Sequence, residues 1–482
     1  MFNPTIQKPL GLMLMLYSIS MLPPIGVSLW YHGGEWTPFL YTMLITLAAG
    51  IALWLPGRRS RRDLALRDGF AVVALAWTLL GLASALPLML STHPHLSLTD
   101  AVFESFSGIT TTGATVITGI DRLPKAILYY RAQLQWLGGM GILVLAVAIL
   151  PMLGVGGMQL YRAEIPGPMK ENKLTPRITE TAKALWYIYL GLTVLCALAY
   201  WRFGMTPFDA VAQSFATVST GGFSTHDASL GYFHSARIDA VAVVFMYLAG
   251  INHALHFTAW RSSSLRPYLS DPEVRGYTVI LLVTSIITVL YLYLSHTFDF
   301  TTALHHGIVQ AVSIGTSTGF TTAEYQRWPG FLPILLIMVS FIGGCAGSTG
   351  GGMKVIRFLL LYKQGAREIN RLVHPSARIP VKVGGKVMPD RVVDAVWGFF
   401  STYVAVFVVL LLVLMATGLD QITSFSAVAA CLNNMGPGLG GVGPNYQALN
   451  DVAKWALSLA MLLGRLEIFT VLVLFTPAFW RR

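Results

Sequence analysis

Charge is scarce in this sequence, and cysteine is scarcer still. Only 11% of the 482 residues are charged while 54% are apolar. Soluble proteins carry about a quarter charged residues, so an ordinary soluble domain is excluded. The charges are also segregated, leaving charge-free windows of about 20 residues, the length that spans a bilayer as a helix. Solid apolar runs without period-two alternation exclude a transmembrane β-barrel. Cys196, Cys345 and Cys431 stand far apart with no CxxC pattern, so they are read as small packing residues rather than a disulfide framework. No Ser/His/Asp or Cys/His spacing commends catalysis. His253, His256 and the pair His305–His306 lack a third ligand of matching spacing, and packing or hydrogen bonding is expected of them rather than metal. The class left is an all-α polytopic membrane protein that is not an enzyme.

Four short polar stretches stand out against the apolar background. They are Ser105-Phe-Ser-Gly-Ile-Thr-Thr-Thr-Gly-Ala-Thr115, Ser214-Phe-Ala-Thr-Val-Ser-Thr-Gly-Gly-Phe-Ser224, Val312-Ser-Ile-Gly-Thr-Ser-Thr-Gly-Phe-Thr-Thr322 and Ala430-Cys-Leu-Asn-Asn-Met-Gly-Pro-Gly438. Each follows a short amphiphilic segment and precedes another apolar run. Asp100 precedes Gly113 by thirteen residues, as Asp209 precedes Gly222, and Phe106 and Phe215 each lie seven residues before those glycines. A later glycine recurs at a similar distance in each unit: Gly139, Gly250, Gly343 and Gly464. Such register marks an internal repeat. The expected organisation is two N-terminal membrane helices over residues 1–66, then four helix–pore loop–helix repeats over 67–160, 161–260, 261–375 and 376–482, around one pseudo-four-fold pore. The return helices are expected over 134–153, 238–257, 331–362 and 452–475. Lys8 precedes an apolar run with no small-residue cleavage site, as in a start-anchor helix.

The net charge of +11 is a topology signal. With the N-terminus inside, most Lys and Arg gather on one face, at 58–67, 162–183, 261–275, 354–391 and 481–482, as the positive-inside rule requires. Both termini are then cytoplasmic, the four polar loops enter from outside, and no nucleic-acid partner need be invoked. Arg122, Lys125, Arg131, Arg202, Arg237, Arg327 and Lys454 fall on the outer face in this reading. Asp100 and Asp209 suit the first turns of their short helices, and Glu104 is expected to hydrogen-bond the pore scaffold.

Non-helical backbone at membrane depth is tolerated only where it is buried in protein or lines water. A short helix followed by Thr/Ser-Gly can enter halfway, turn, and return extended, with glycine supplying the positive φ. Rings of carbonyls then replace the hydration shell of a monovalent cation, and the helix C-terminal dipole adds to the attraction. No loop carries a carboxylate, which argues against a divalent-selective acidic ring.

On the motifs Thr110-Thr-Thr-Gly113, Ser219-Thr-Gly-Gly-Phe223, Ser317-Thr-Gly-Phe320 and Asn433-Asn-Met-Gly-Pro-Gly438, the chain resembles the Trk/Ktr/HKT superfamily of potassium transporters, and most closely its TrkH branch. The resemblance covers essentially the whole chain. It implies a potassium filter at Thr111, Thr112, Gly113, Thr220, Gly221, Gly222, Thr318, Gly319, Phe320, Asn434, Met435 and Gly436. The four filter glycines are Gly113, Gly222, Gly319 and Gly436; in the second loop the spacing from Phe215 selects Gly222 over Gly221. In the family a glycine at all four positions goes with potassium preference, and a serine at the first with sodium passage. The resemblance further implies a bacterial cytoplasmic (inner) membrane location among lipid, a homodimer, and a cytosolic TrkA-like ring that binds NAD and ATP. This chain has no room for a nucleotide domain, so no organic cofactor of its own is expected; potassium is cargo. The basic residues 354–391 are the expected docking surface for that ring.

Ile342-Gly-Gly-Cys-Ala-Gly-Ser-Thr-Gly-Gly-Gly-Met-Lys354 carries six glycines. Each costs about 1 kcal/mol in a helix interior, so the third return helix must be interrupted here. Two readings remain open from the residues alone, a flexible intramembrane loop and a tightly packed kink. The absence of Gly-Lys-Ser/Thr excludes a nucleotide P-loop. The resemblance places a gate at Gly343, Gly344, Gly347, Ser348, Thr349, Gly350, Gly351, Gly352 and Lys354, together with Arg465. Arg465 reads as mid-helix, where a charge needs a cavity or a partner. Either it faces the pore as a cation barrier or it ties backbone carbonyls. Glu467, two residues on, points to another side and is not expected to pair with it. The competing class is a secondary transporter of potassium or a small solute coupled to protons or sodium, since broken helices suit those too. It wants an acidic residue at mid-membrane, and only Glu104 and Glu467 are deep candidates.

Overall fold

The computed structural model describes residues 4–58, 66–139, 141 and 178–480. The basic stretch 59–65, most of the loop 162–183, the end of the first return helix and Arg481–Arg482 lie outside the described residues. Most of the described chain is helical. Among the described residues, six helices are long and apolar enough to cross a membrane, or eight if each of two bent pairs counts as one span.

The N-terminal pair is α1 (Pro4–Ile19) and α2 (Leu22–Trp30), then α3 (Thr37–Gly57). The first expected span is thus two helices joined by a turn at residues 20–21. Three-part units follow, each opening with a long apolar helix: α4 (Leu66–Leu90), α7 (Ile178–Arg202), α12 (Pro272–Leu294) and α16 (Asp390–Ala416). The short second helices are α5 (Leu98–Ile109), α8 (Pro207–Val218), α13 (Phe300–Gly315) and α17 (Gln421–Leu432). Their starts are written in the sequence. Ser97, Thr206, Asp299 and Asp420 each accept a backbone N–H two or three residues on, satisfying donors that a helix N-terminus leaves free.

The return helices differ from expectation. α6 (Lys125–Gly139) begins well before residue 134. α9 (Ala236–Ala249) and α10 (His253–Ser262) replace one continuous helix, bent by 95°. After the short α11 (Arg266–Ser270) and the third unit's α12 and α13, α14 (Leu332–Ser340) stops before the glycine run, and α15 (Val355–Val373) resumes after it. In the fourth unit α18 (Asp451–Arg465) and α19 (Phe469–Leu472) meet at 107°. Arg465 is therefore the last residue of a helix and not mid-helix. Lys382–Val383 and Lys386–Val387 form a small antiparallel hairpin, β1 and β2, between α15 and α16.

Two of the charges expected on the outer face are held in ion pairs. Arg131 is 1% exposed and pairs with Glu104 at 2.9 Å, and Lys454 pairs with Asp100 at 2.6 Å. Both sit on return helices and reach short helices, so they clamp the scaffold. The three cysteines are buried. His305 bonds Asp239, His306 bonds Thr322, and His256 bonds Tyr268 and the Leu248 carbonyl.

Candidate ion pathway

The four polar loops adopt one conformation, and it is visible in the backbone. Thr111 and Gly113 have φ of 57° and 82°; Thr220 and Gly222, 52° and 77°; Ser317 and Gly319, 59° and 85°; Asn434 and Gly436, 51° and 92°. Non-glycine residues seldom take positive φ, so the same alternation four times is a built feature. Its cause is local. The N–H of the residue between each pair turns back to the end of its own short helix: Thr112 to Ser107 O, Gly221 to Ala216 O, Thr318 to Ser313 O and Met435 to Ala430 O, all at 2.8 Å. These bonds satisfy carbonyls that a helix C-terminus leaves orphaned.

The loops close into a ring. A Cβ placed on Gly113 would lie 2.2 Å from Gly221 O; on Gly222, 2.0 Å from Thr318 O; on Gly319, 2.1 Å from Met435 O; and on Gly436, 2.6 Å from Thr112 O. Each glycine thus abuts the carbonyl just before the glycine of the next loop, and the fourth returns to the first. Only glycine permits that approach. Among the described residues the carbonyls of Thr112, Thr318 and Met435 accept no hydrogen bond, although all three residues are fully buried. Buried carbonyls without a donor are uncommon, and a dehydrated cation is the partner such a ring fits. Among the described residues no group of three or more His, Cys, Asp or Glu is placed to hold a metal ion, so carboxylate chemistry does not compete.

This register places Ser317, which the motif reading left out, in the position of Thr111, Thr220 and Asn434. Phe320 falls one residue beyond the glycine, beside Ala114, Phe223 and Pro437 in the other loops; its carbonyl accepts Ser313 Oγ at 2.7 Å. The spacing Ser-Thr-Gly in Ser317-Thr-Gly-Phe320 was the available signal.

Side chains outside the motifs hold the ring. Gln135 on α6 donates Nε2 to Gly221 O at 2.6 Å and accepts the Phe223 N–H at 3.0 Å, tying the second loop to the first repeat. Tyr446 donates to Gly436 O at 2.7 Å, while its N–H reaches Thr115 O. Asn434 Nδ2 donates to Thr112 Oγ1 and to Met461 O. Glu104 accepts the Val116 N–H at 2.9 Å, and Thr115 Oγ1 donates to its two carboxylate oxygens at 3.0 Å. Arg131 joins the same node, donating to Ser224 O of the second loop and lying 4.2 Å over the Phe223 ring. The spacing Arg131-x-x-x-Gln135 in an apolar helix put both on one face, the available sequence sign of an inward polar stripe. Removing one partner of a buried ion pair leaves an uncompensated charge at about 3 kcal/mol or more. Glu104→Gln is therefore expected to lower stability by that order. Thermal unfolding of the purified protein in detergent checks this, and an unchanged transition would remove the brace.

His226 Nδ1 bonds Asp121 at 2.5 Å, and Asp227 accepts the Gly119 N–H, joining the loops that follow the first and second ring segments. Burial raises the Asp121 carboxyl, but hydrogen bonds with His226 and Asp227 outweigh it and leave it below the ordinary carboxylate value.

Under the ring lies the glycine-rich segment. Gly352 N–H donates to Asn433 O at 3.0 Å, Gly351 N–H to Ser317 Oγ at 2.5 Å, and Thr349 Oγ1 to Val218 O at 3.1 Å. These acceptors lie at or just past the ends of three short helices, so the segment crosses beneath the ring. It is fixed further by Cys345 N–H on Gly250 O, by Gly347 O on the His253 N–H, and by Glu273, which accepts the N–H groups of Ala346 and Ile356. Lys354 Nζ donates to the Gly350 carbonyl. Ser348 Oγ turns inward to Cys345 O. Gly343 has φ of 69° and packs on Gly351, while Gly344 faces Ser348.

Arg465 joins these layers. Its guanidinium donates to Thr111 Oγ1 at 3.2 Å, Thr349 O at 2.9 Å, Gly138 O at 2.5 Å and Gly139 O at 2.7 Å. The ring, the glycine segment and the first return helix thus meet on one charge. Gly464 beside it lets α18 approach α17, since a Cβ there would lie 2.1 Å from Leu432 O. Glu467 pairs instead with Arg357 at 2.5 Å.

A polytopic helical membrane protein with four re-entrant loops closed into one carbonyl ring belongs to the class of cation transport proteins. Comparison with known proteins gives the particular family. The TrkH family of cation transport proteins matches residues 37–482, and the chain belongs to that family; it is a transport protein and not an enzyme. It is 58% identical to the Trk system potassium uptake protein TrkH of Halomonas elongata over 477 residues, 99% of each chain. It is 53% identical to that of Escherichia coli, again over 99% of each. The crystal structure of the potassium transporter TrkH from Vibrio parahaemolyticus superposes with a TM-score of 0.91 at 54% identity, covering 100% of both chains.

Proposed function

We propose that this protein takes up potassium across the bacterial cytoplasmic membrane, with its termini inside, through a channel-like filter gated by the glycine-rich segment. The observation that carries the reading is the closed ring in which each filter glycine abuts the next loop's carbonyl. The names of its relatives support potassium as the ion. On this reading residues 1–66 flank the pore and the repeats 67–160, 161–260, 261–375 and 376–482 supply one wall each. The filter is formed by Thr111 to Gly113, Thr220 to Gly222, Ser317 to Gly319 with Phe320 behind, and Asn434 to Gly436. The gate is residues 343–352 with Lys354 and Arg465, which the contacts between Thr349, Gly351, Gly352 and the ends of the short helices support. A nucleotide-binding cytosolic ring would work the gate from below, docking on the basic residues 354–391, and the protein would act as a homodimer; nucleotide binding belongs to the ring.

The test is ion flux in liposomes holding the purified chain. Potassium is expected to pass well ahead of sodium, with a reversal potential set by the potassium gradient alone. Equal sodium flux would overturn the filter reading. A reversal potential that moves with an imposed proton gradient would overturn channel-like conduction in favour of coupling.

A further inference from the structure

The break between α18 and α19 is more strained than a bend requires. Glu467 has φ of 56°, and Ile468 has φ of 43° with ψ of −57°. Phe469 N–H folds back onto the Glu467 carbonyl, closing a three-residue turn with a β-branched residue at its positive-φ centre. That turn is rare and strained, and a β-branched side chain there is an outlier. Such conformations persist only where their surroundings over-determine them.

Two anchors do so here. On one side Arg465 is bonded to Thr111, Thr349, Gly138 and Gly139. On the other, Glu467 is held by Arg357 at 2.5 Å, with the Arg357 guanidinium 4.1 Å over the Phe399 ring and also bonded to Met353 O. Arg357 sits in the first turn of α15, directly after the glycine segment. The buried side of α15 is Val355, Ile356, Arg357, Leu360 and Gln364, while Ile369, Leu372 and Val373 at its far end stand exposed. The helix thus has one end packed at the glycine segment and the other exposed. Charged groups facing this node are Arg357, Glu467, Lys354, Arg465 and Glu273, the last accepting the Ile356 N–H at 3.0 Å.

We propose that the Arg357–Glu467 ion pair is a latch: it holds the strained turn at Ile468 that keeps Arg465 beneath the filter, so that displacement of α15 opens the pathway. No existing role of either residue in conduction is needed, and both act as positioning residues through Arg465. A bistable element of this kind converts a small shift at one end into a change of state at the other. The inference rests on the conduction reading above, and its test separates the two.

Potassium flux is measured in liposomes with the full-length chain and no partner. Glu467→Gln and Arg357→Gln are each expected to raise resting flux about tenfold over wild type, the shift of a gate whose closed state has lost one favourable contact. The exchange Arg357→Glu with Glu467→Arg is expected to return flux towards wild type. Glycine adopts positive φ without penalty, so Ile468→Gly removes the strain that the latch opposes. It is expected to restore low flux in the Glu467→Gln background and to lower resting flux on its own. Single variants with wild-type flux would overturn the latch, as would raised flux that Ile468→Gly leaves raised. If a single variant does not fold, Ile468→Gly alone decides: unchanged or raised flux overturns the proposal. A wild-type chain that carries no potassium overturns the conduction reading itself.

Discussion

Replacing Gly113 with serine is expected to cost the filter at least about tenfold of its preference for potassium over sodium, the discrimination that about 1.4 kcal/mol supplies. Two effects act together. Gly113 has φ of 82°, a conformation that costs a residue with a side chain about 1–2 kcal/mol. The new Cβ would also lie 2.2 Å from Gly221 O and 3.3 Å from its carbon, far inside contact. The second loop cannot easily give way, because Gln135 holds that carbonyl at 2.6 Å and the Phe223 N–H at 3.0 Å. The first loop must therefore move off the second, and the ring opens at that seam. A cage that fits one dehydrated ion then fits several. Gly119→Ser is the control: φ is 71° there, but nothing lies within 4 Å of the added atom, so selectivity should be kept. Flux of the two ions through both variants decides the matter. Undiminished selectivity in Gly113→Ser would remove this glycine from the filter.

The second large effect is expected at Arg465, whose replacement by alanine should raise ion flux about thirtyfold. A unit positive charge roughly 8 Å from a passing cation, at an effective dielectric of about 20, raises its energy by about 2 kcal/mol, which is about thirtyfold in rate. Alanine also frees Thr349 O of the glycine segment, which accepts from Arg465 at 2.9 Å. Both consequences favour conduction. Arg465→Lys separates them, since it keeps the charge but cannot reach Thr111, Thr349, Gly138 and Gly139 together. If charge alone matters, lysine should behave as wild type; if the ties matter, it should leak like alanine. Unchanged flux in Arg465→Ala, with normal expression, would sink the barrier role.

Much of this was legible in the chain. Apolar length marked the long helix that opens each unit, and Ser97, Thr206, Asp299 and Asp420 mark the short helices because capping is a local interaction. The four loops were recognisable because their conformation is local too: positive φ wants glycine, and the spacing from helix end to glycine is covalent. Glu104 was rightly expected at the scaffold.

Other features were decided only in three dimensions. Arg131 and Lys454 look like loop charges, because a sequence does not display the carboxylate, Glu104 or Asp100, that makes burial tolerable. Phe320 and Ser317 traded places in the expected register because the ring, not the motif, defines equivalent positions. One glycine is too little to break a helix at Leu463-Gly-Arg-Leu-Glu-Ile-Phe469, yet it breaks after Arg465, where α18 packs through Gly464 against α17 and both charges find partners on other repeats. Local chemistry therefore determined what each loop is. Which carbonyl each glycine meets, and where each charge is held, depended on contacts between repeats far apart in the chain, and those energies are absent from any single stretch of it.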